Sequence, residues 1–167
     1  MTEGGLFACK SHGMNIWGEA WGEQGEDWAG GGGLSKRLVE RGPLLGASLY
    51  ELGPGNFAIF HFHHASEELL VVLRGRPTLR TLDGKRQLDE GEVVHFPTGP
   101  EGAHELRNET DAPVRYVVAG IRVSPEVVEY PDLGQLTAQS RHASQTGEPL
   151  FVIHTLGGEA PESEEAQ

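Results

Sequence analysis

Between residues 44 and 123 apolar stretches alternate with turn-forming residues roughly every 8 to 12 positions, and no other feature constrains the fold as strongly. The chain has 24 glycines and 10 prolines, which favour turns and short strands over long helices. No helix-period pattern survives beyond about two turns, and no repeat of fixed period is present. The expected class is all-β, a small sandwich or barrel. Strands are expected near 45–51, 57–63, 67–73, 76–82, 86–88, 92–96, 103–108 and 113–123, with a further edge strand at 150–156. Asp83-Gly84 suits the centre of a tight hairpin, because both central residues of a type I′ turn need positive φ. The strand at 67–73 is apolar on both faces, so both of its sides call for burial.

The ends differ in composition. Residues 1–43 are glycine-rich and carry Trp17, Trp21 and Trp28 among acidic residues, which reads as an extended arm that packs on the barrel or on a partner. Residues 44–156 form the barrel with its extension. Residues 157–167 are acidic and have almost nothing to bury, so a disordered tail is expected. The formal charge is −12, without a dense Lys/Arg cluster. Such a surface repels phosphate backbones and anionic lipids, which argues against nucleic acid and membrane as partners and for a small molecule. The single cysteine, Cys9, excludes an intramolecular disulfide. The longest aliphatic run, Leu69 to Leu73, is too short to span a bilayer, and nothing resembles a signal peptide, so the expected location is the cytoplasm.

The chemistry concentrates in two segments. In the first, His61 and His63 stand two apart on an expected strand and therefore project from one face, where their imidazoles can converge on one ion. A carboxylate follows at the start of the next strand, as Glu67 or Glu68. Two imidazoles and a carboxylate on a rigid sheet suit iron, manganese, nickel or zinc. The second segment, about forty residues on, runs from Gly91 through His95, Pro97 and Gly99 to His104 and Asn108.

Together these segments resemble the two motifs of the cupin family. The first motif is a glycine, five residues, His-x-His, three or four residues, a glutamate, six residues and a glycine; Gly55, His61, His63, Glu68 and Gly75 satisfy every interval. The interval to Gly75 selects Glu68 over Glu67. The second motif is matched in order by Gly91, Pro97, Gly99, His104 and Asn108, except that four residues rather than two separate Gly99 from His104. The resemblance spans about residues 45–123. It implies a double-stranded β-helix, the jelly-roll barrel, with a divalent transition metal (Fe, Mn, Zn or Ni) held by His61, His63, Glu68 and His104.

It also implies a function class without choosing within it. A metal with one or two open positions suits an enzyme acting on a small polar metabolite, of dioxygenase, isomerase or decarboxylase type. The alternative is a non-catalytic module that binds or senses a small molecule. No DNA-binding helix pair accompanies the barrel, which weakens a regulator role. Few Lys or Arg residues lie beside the expected ligands, which weakens a sugar-phosphate substrate. His64 and His95 are expected to be structural or pocket-lining. Glu101 and Glu105 flank the site and are expected to be exposed, each otherwise a candidate base. Phe57, Phe60, Phe62, Phe96 and Tyr116 are candidates for apolar walls. A homodimer is expected, because small cupins commonly pair through their sheets.

Overall fold

The structure is a computed structural model that describes residues 15–18, 33–39, 44–145 and 147–157. Among them are twelve strands: β1 (Leu34–Arg37), β2 (Leu45–Leu52), β3 (Phe57–His63), β4 (Glu68–Arg74), β5 (Thr78–Thr81), β6 (Gly84–Gln87), β7 (Val93–Phe96), β8 (His104–Arg107), β9 (Val114–Ile121), β10 (Glu126–Tyr130), β11 (Gln135–Ala143) and β12 (Pro149–Thr155). They form a five-stranded sheet in the order β1-β2-β9-β4-β7 and a seven-stranded sheet in the order β12-β11-β10-β3-β8-β5-β6. All pairings are antiparallel. No helix among the described residues is long and apolar enough to cross a membrane.

The two sheets close on one core. Leu52, Leu70, Val72, Phe96, Val114 and Tyr116 from the first sheet pack with Leu79 and Leu106 from the second, all buried. This is the face-to-face jelly roll expected of short, alternating strands. The ladder between β3 and β8 contains a bulge between Ala58 and His61. An extra residue on one strand switches which side chains face inward. Ala58 therefore packs against the main core, while His61 and His63 turn into the barrel. Phe60 and Phe62 form a separate buried cluster with Ala103 on the other side.

Several expectations change. Thr81 pairs with Gly84, so Leu82 and Asp83 sit at the centre of the hairpin, and Gly84 with φ +123° follows it. Strands β1, β10 and β11 carry no strong alternation and were not expected. β12 lies at a sheet edge, as expected. Of the arm, Trp17 lies near the Arg115 guanidinium at 5.9 Å and Arg115 Nη1 donates to the Ile16 carbonyl at 3.0 Å. Trp21, Trp28, Cys9 and almost the whole acidic tail lie outside the described residues.

Candidate metal centre

Three strands bring three of the four expected ligands to one point. His61 on β3 is the direct cross-strand partner of His104 on β8, and their rings lie 4.6 Å apart. Glu68 opens β4 on the opposite sheet. The ligand atoms of His61, Glu68 and His104 all lie within 4.8 Å of one another. His63 stands outside that trio but reaches the same carboxylate. Its Nε2 is 3.4 Å from Glu68 Oε2, and His104 Nε2 is 3.6 Å from the same oxygen. Two donors at right angles around one first-row ion would stand about 3 Å apart, given metal–ligand distances of about 2.1 Å.

The other ring nitrogens are already engaged. His61 Nδ1 donates to the Ile59 carbonyl at 2.7 Å and His104 Nδ1 to the Gly102 carbonyl at 2.9 Å. His63 Nδ1 faces Glu126 Oε1 at 3.3 Å, and Ser66 Oγ donates to the other oxygen of the same carboxylate. An imidazole held at Nδ1 by a carbonyl or carboxylate has its Nε2 oriented as a metal ligand. All three imidazoles meet that condition, so the donor set fits a divalent transition metal. Phe96 stacks on His104 with ring centroids 3.6 Å apart, which fixes the plane of that imidazole. Gly120 faces Glu68 across the β4–β9 ladder, and a Cβ at Gly120 would stand 3.1 Å from Glu68 Cγ. The missing side chain gives the carboxylate its place.

The electrostatics follow from burial and neighbours. Burial, then the adjacent imidazole of His61, pushes His104 down to about 3. His61 is lowered too, by burial and by His63. For His63 burial acts downward, but Glu126 and Glu68 outweigh it and lift the group to about 9. Glu68 would be raised by burial, yet His63, His104 and His61 together hold it below the usual carboxylate range. In the absence of metal, His63 is thus a cation between two carboxylates, while His61 and His104 are neutral donors.

The remaining candidates separate cleanly. Glu67 pairs with His95 at 3.1 Å, and both are exposed. His64 faces Glu129 at 3.3 Å. Glu105 is buried, contrary to the exposure expected of it, and is held by Arg80 and Arg107. Glu101 is exposed. Of the aromatic candidates, Phe96 and Tyr116 face the barrel core, whereas Phe60 and Phe62 do not. Asn108 is fully buried and acts as a clasp, donating to the Leu52 and Ala112 carbonyls and accepting from Thr110.

A cavity of about 350 Å³ opens onto Glu68 and His63, a size suited to a small metabolite. Glu126 and Ser66 line it as well. Sequence reasoning missed both, since neither belongs to a local spacing that marks it. The cavity is also lined by Arg37, Arg122 and Arg141. The expectation of few basic residues beside the ligands therefore fails, because strands distant in the chain bring these three arginines to the cavity.

A family description, Cupin domain, matches residues 48–120. The chain carries a cupin domain. A comparison with curated proteins finds no match. Among solved structures, a sugar phosphate isomerase of the cupin superfamily from Silicibacter pomeroyi DSS-3 is similar, with a TM-score of 0.63 and 26% identity over 74% of this chain and 76% of that one. A candidate sugar phosphate isomerase from Acidithiobacillus ferrooxidans ATCC 23270 gives 0.61 and 27% over 72% and 76%. A predicted oxalate decarboxylase from Thermotoga maritima, at 17% identity and a TM-score of 0.54 over 60% and 91%, shares the fold alone. Both isomerase likenesses extend beyond the length of the cupin domain itself.

Proposed function

We propose that this cupin is a metal-dependent enzyme that isomerises a small hydroxy-carbonyl compound of the sugar phosphate class. The observation that carries the reading is the single cavity that combines His63 and Glu68 with three arginines. The likeness to two proteins described as sugar phosphate isomerases, at 26% and 27% identity, supports isomerisation over the other cupin chemistries. His61, His63, Glu68 and His104 would hold iron, manganese, zinc or nickel. Bound there, the metal would supply Lewis acidity toward a carbonyl or hydroxyl oxygen.

The chain's own residues account for the rest. Glu126 and the backbone carbonyls of Ile59 and Gly102 keep the three imidazoles in the donor orientation. The Ser66 hydroxyl occupies one oxygen of Glu126 and leaves the other to His63. The buried side of the site, with Phe96 and the core behind His104, excludes water from that flank. Elemental analysis of purified protein, followed by incubation with aldose and ketose phosphates in D2O, tests the reading. Interconversion of aldose and ketose phosphate seen by NMR, dependent on the bound metal, is expected, with deuterium entering at aldose C2 or ketose C1 where the proton passes through solvent. Metal-loaded protein that binds such compounds without interconverting them would instead mark a binding module.

A further inference from the structure

Three of the thirteen Lys and Arg residues of this acidic chain line the same cavity. None of them belongs to the cupin domain: Arg37 precedes residues 48–120, while Arg122 and Arg141 follow them. Each is placed by the extension of a sheet. Arg37 on β1 is the ladder partner of Ser48 on β2, so it shares the face on which Ser48 lines the cavity. Arg122 follows β9 directly, and its backbone N–H donates to the Leu44 carbonyl at 2.7 Å. Its side chain crosses Gly46, where a Cβ would stand 3.0 Å from Cγ and 3.2 Å from Cδ. Arg141 on β11 donates through Nη2 to the Arg122 carbonyl, and its N–H bonds Ser124 Oγ at 3.0 Å. That bond brings the Arg141 guanidinium to the backbone of Arg122.

The floor between these arginines and the metal ligands is bare. Glu68, Gly120 and Gly46 are consecutive partners across β4, β9 and β2. Two strand steps of about 4.8 Å put the Glu68 and Gly46 backbones roughly 10 Å apart. The two glycines raise no side chain from that row; Glu68 leans over one and Arg122 over the other. A small ligand can therefore lie along the row with one end at Glu68 and the other at Arg122.

We propose that Arg37, Arg122 and Arg141 form a phosphoryl-binding subsite at the end of this cavity, built by the chain segments that flank the cupin domain. Guanidinium groups bind phosphate bidentately, and a phosphate monoester offers three acceptor oxygens and nearly two negative charges. Three cations gathered at one rim match that charge better than they match a single carboxylate. The assignment deepens the function proposed above and rests on it only for what the opposite end of the ligand does.

Titration calorimetry with inorganic phosphate at constant ionic strength, with sodium chloride as the balancing salt, tests the subsite. Acetate competition and a separate Mn2+ titration complete the design. Phosphate should bind the wild-type protein in the millimolar range or tighter, with acetate a weak competitor. R122Q and R141Q should each weaken phosphate about tenfold or more, as expected for loss of a charge-assisted contact. G46A keeps every charge but displaces the stem of Arg122, and it too should weaken phosphate. Mn2+ affinity should stay unchanged in all three. Equal phosphate affinity in wild type and R122Q/R141Q overturns the subsite, as does no wild-type binding below about 10 mM. Acetate competing as well as phosphate overturns its phosphoryl character. Phosphate binding retained in a wild-type protein that takes up no metal supports the subsite and removes the proposed function.

Discussion

Glu67 pairs with the exposed His95, whereas the next residue, Glu68, turns inward to His63 and His104. A shift of one position on a strand exchanges its two faces, so a carboxylate one residue off would leave the cluster. Glu68→Gln should therefore lower metal affinity at least tenfold, while Glu67→Gln should change it little; competition with a chromophoric chelator measures both. The reverse ranking would mean that β4 runs one residue out of register. The histidine shifts add a pH dependence for the metal-free protein. His104 is depressed to about 3 from an unfolded value near 6.5, so its neutral form is favoured in the fold and stability falls as pH drops below about 6.5. His61 and Glu68, both lowered, act in the same direction on the acid side. His63, raised to about 9, contributes stability that is complete below about 6.5 and is lost as pH rises through 9. Urea unfolding of chelator-treated protein should thus show greatest stability near pH 6.5, with lower midpoints at pH 5 and at pH 9.5. A midpoint that rises steadily across that range would contradict the charge states assigned here. At this scale the two motifs singled out His61, His63, Glu68 and His104 as candidates, and the structure gathers His61, Glu68 and His104 into one group. Glu126 and Ser66 stayed hidden, because they meet only through pairing across some sixty residues.

The strands of residues 45–121 were readable because each is a short apolar run closed by a turn, and the observed bounds differ by only a few residues. β1, β10 and β11 were not, since their apolar faces are incomplete and they are recruited by neighbours already in the sheet. The bulge in β3 was invisible for another reason: Phe57 to Phe60 are apolar throughout, so no side chain there marks a change of face, and only the partner strand reveals the extra residue. The loop of Pro97 to Ala103, two residues longer than the family interval, holds a 3-10 turn at Pro100–Gly102. There Gly102 passes so close to Pro97 that a Cβ would stand 1.8 Å from its carbonyl oxygen. The same Gly102 carbonyl accepts from His104 Nδ1. Gly102→Ala must move the loop backbone and with it that acceptor. A loss of about 1–3 kcal/mol is expected, a fall in Tm of roughly 3–10 °C, together with weaker metal binding. Gly53→Ala, where a Cβ would meet only the Asn56 amide at 3.7 Å, should leave both unchanged. Scanning calorimetry of the pair compares them directly.

For the whole molecule, the outer face of the five-stranded sheet is the feature a single chain leaves unfinished. The double-sided apolar character of residues 67–73 called for burial on both faces, and the described residues supply only one. Leu45 opposes Ile121, Leu69 opposes Ala119, and Val71 opposes Val93, so alternation places all six on this one face. Leu45, Leu69, Val93 and Ile121 are 42% to 57% exposed. A contiguous apolar stripe across four strands marks an interaction surface more than a solvated one. The second candidate is β12, an edge strand whose Leu150, Phe151, Val152 and Ile153 are exposed on both sides. We expect the sheet face to be the interface of a homodimer, because its apolar stripe crosses four strands on one face, whereas an edge strand offers a narrow ladder. Light scattering on a sizing column should give twice the 18.1 kDa chain mass at micromolar concentration. Leu69→Lys with Val93→Lys should raise the dimer dissociation constant about 100-fold and leave a folded monomer, since two buried anchors are replaced by charges. Phe151→Lys should leave the dimer intact. A wild-type monomer would refute the dimer itself, and dissociation by Phe151→Lys alone would move the interface to the β12 edge.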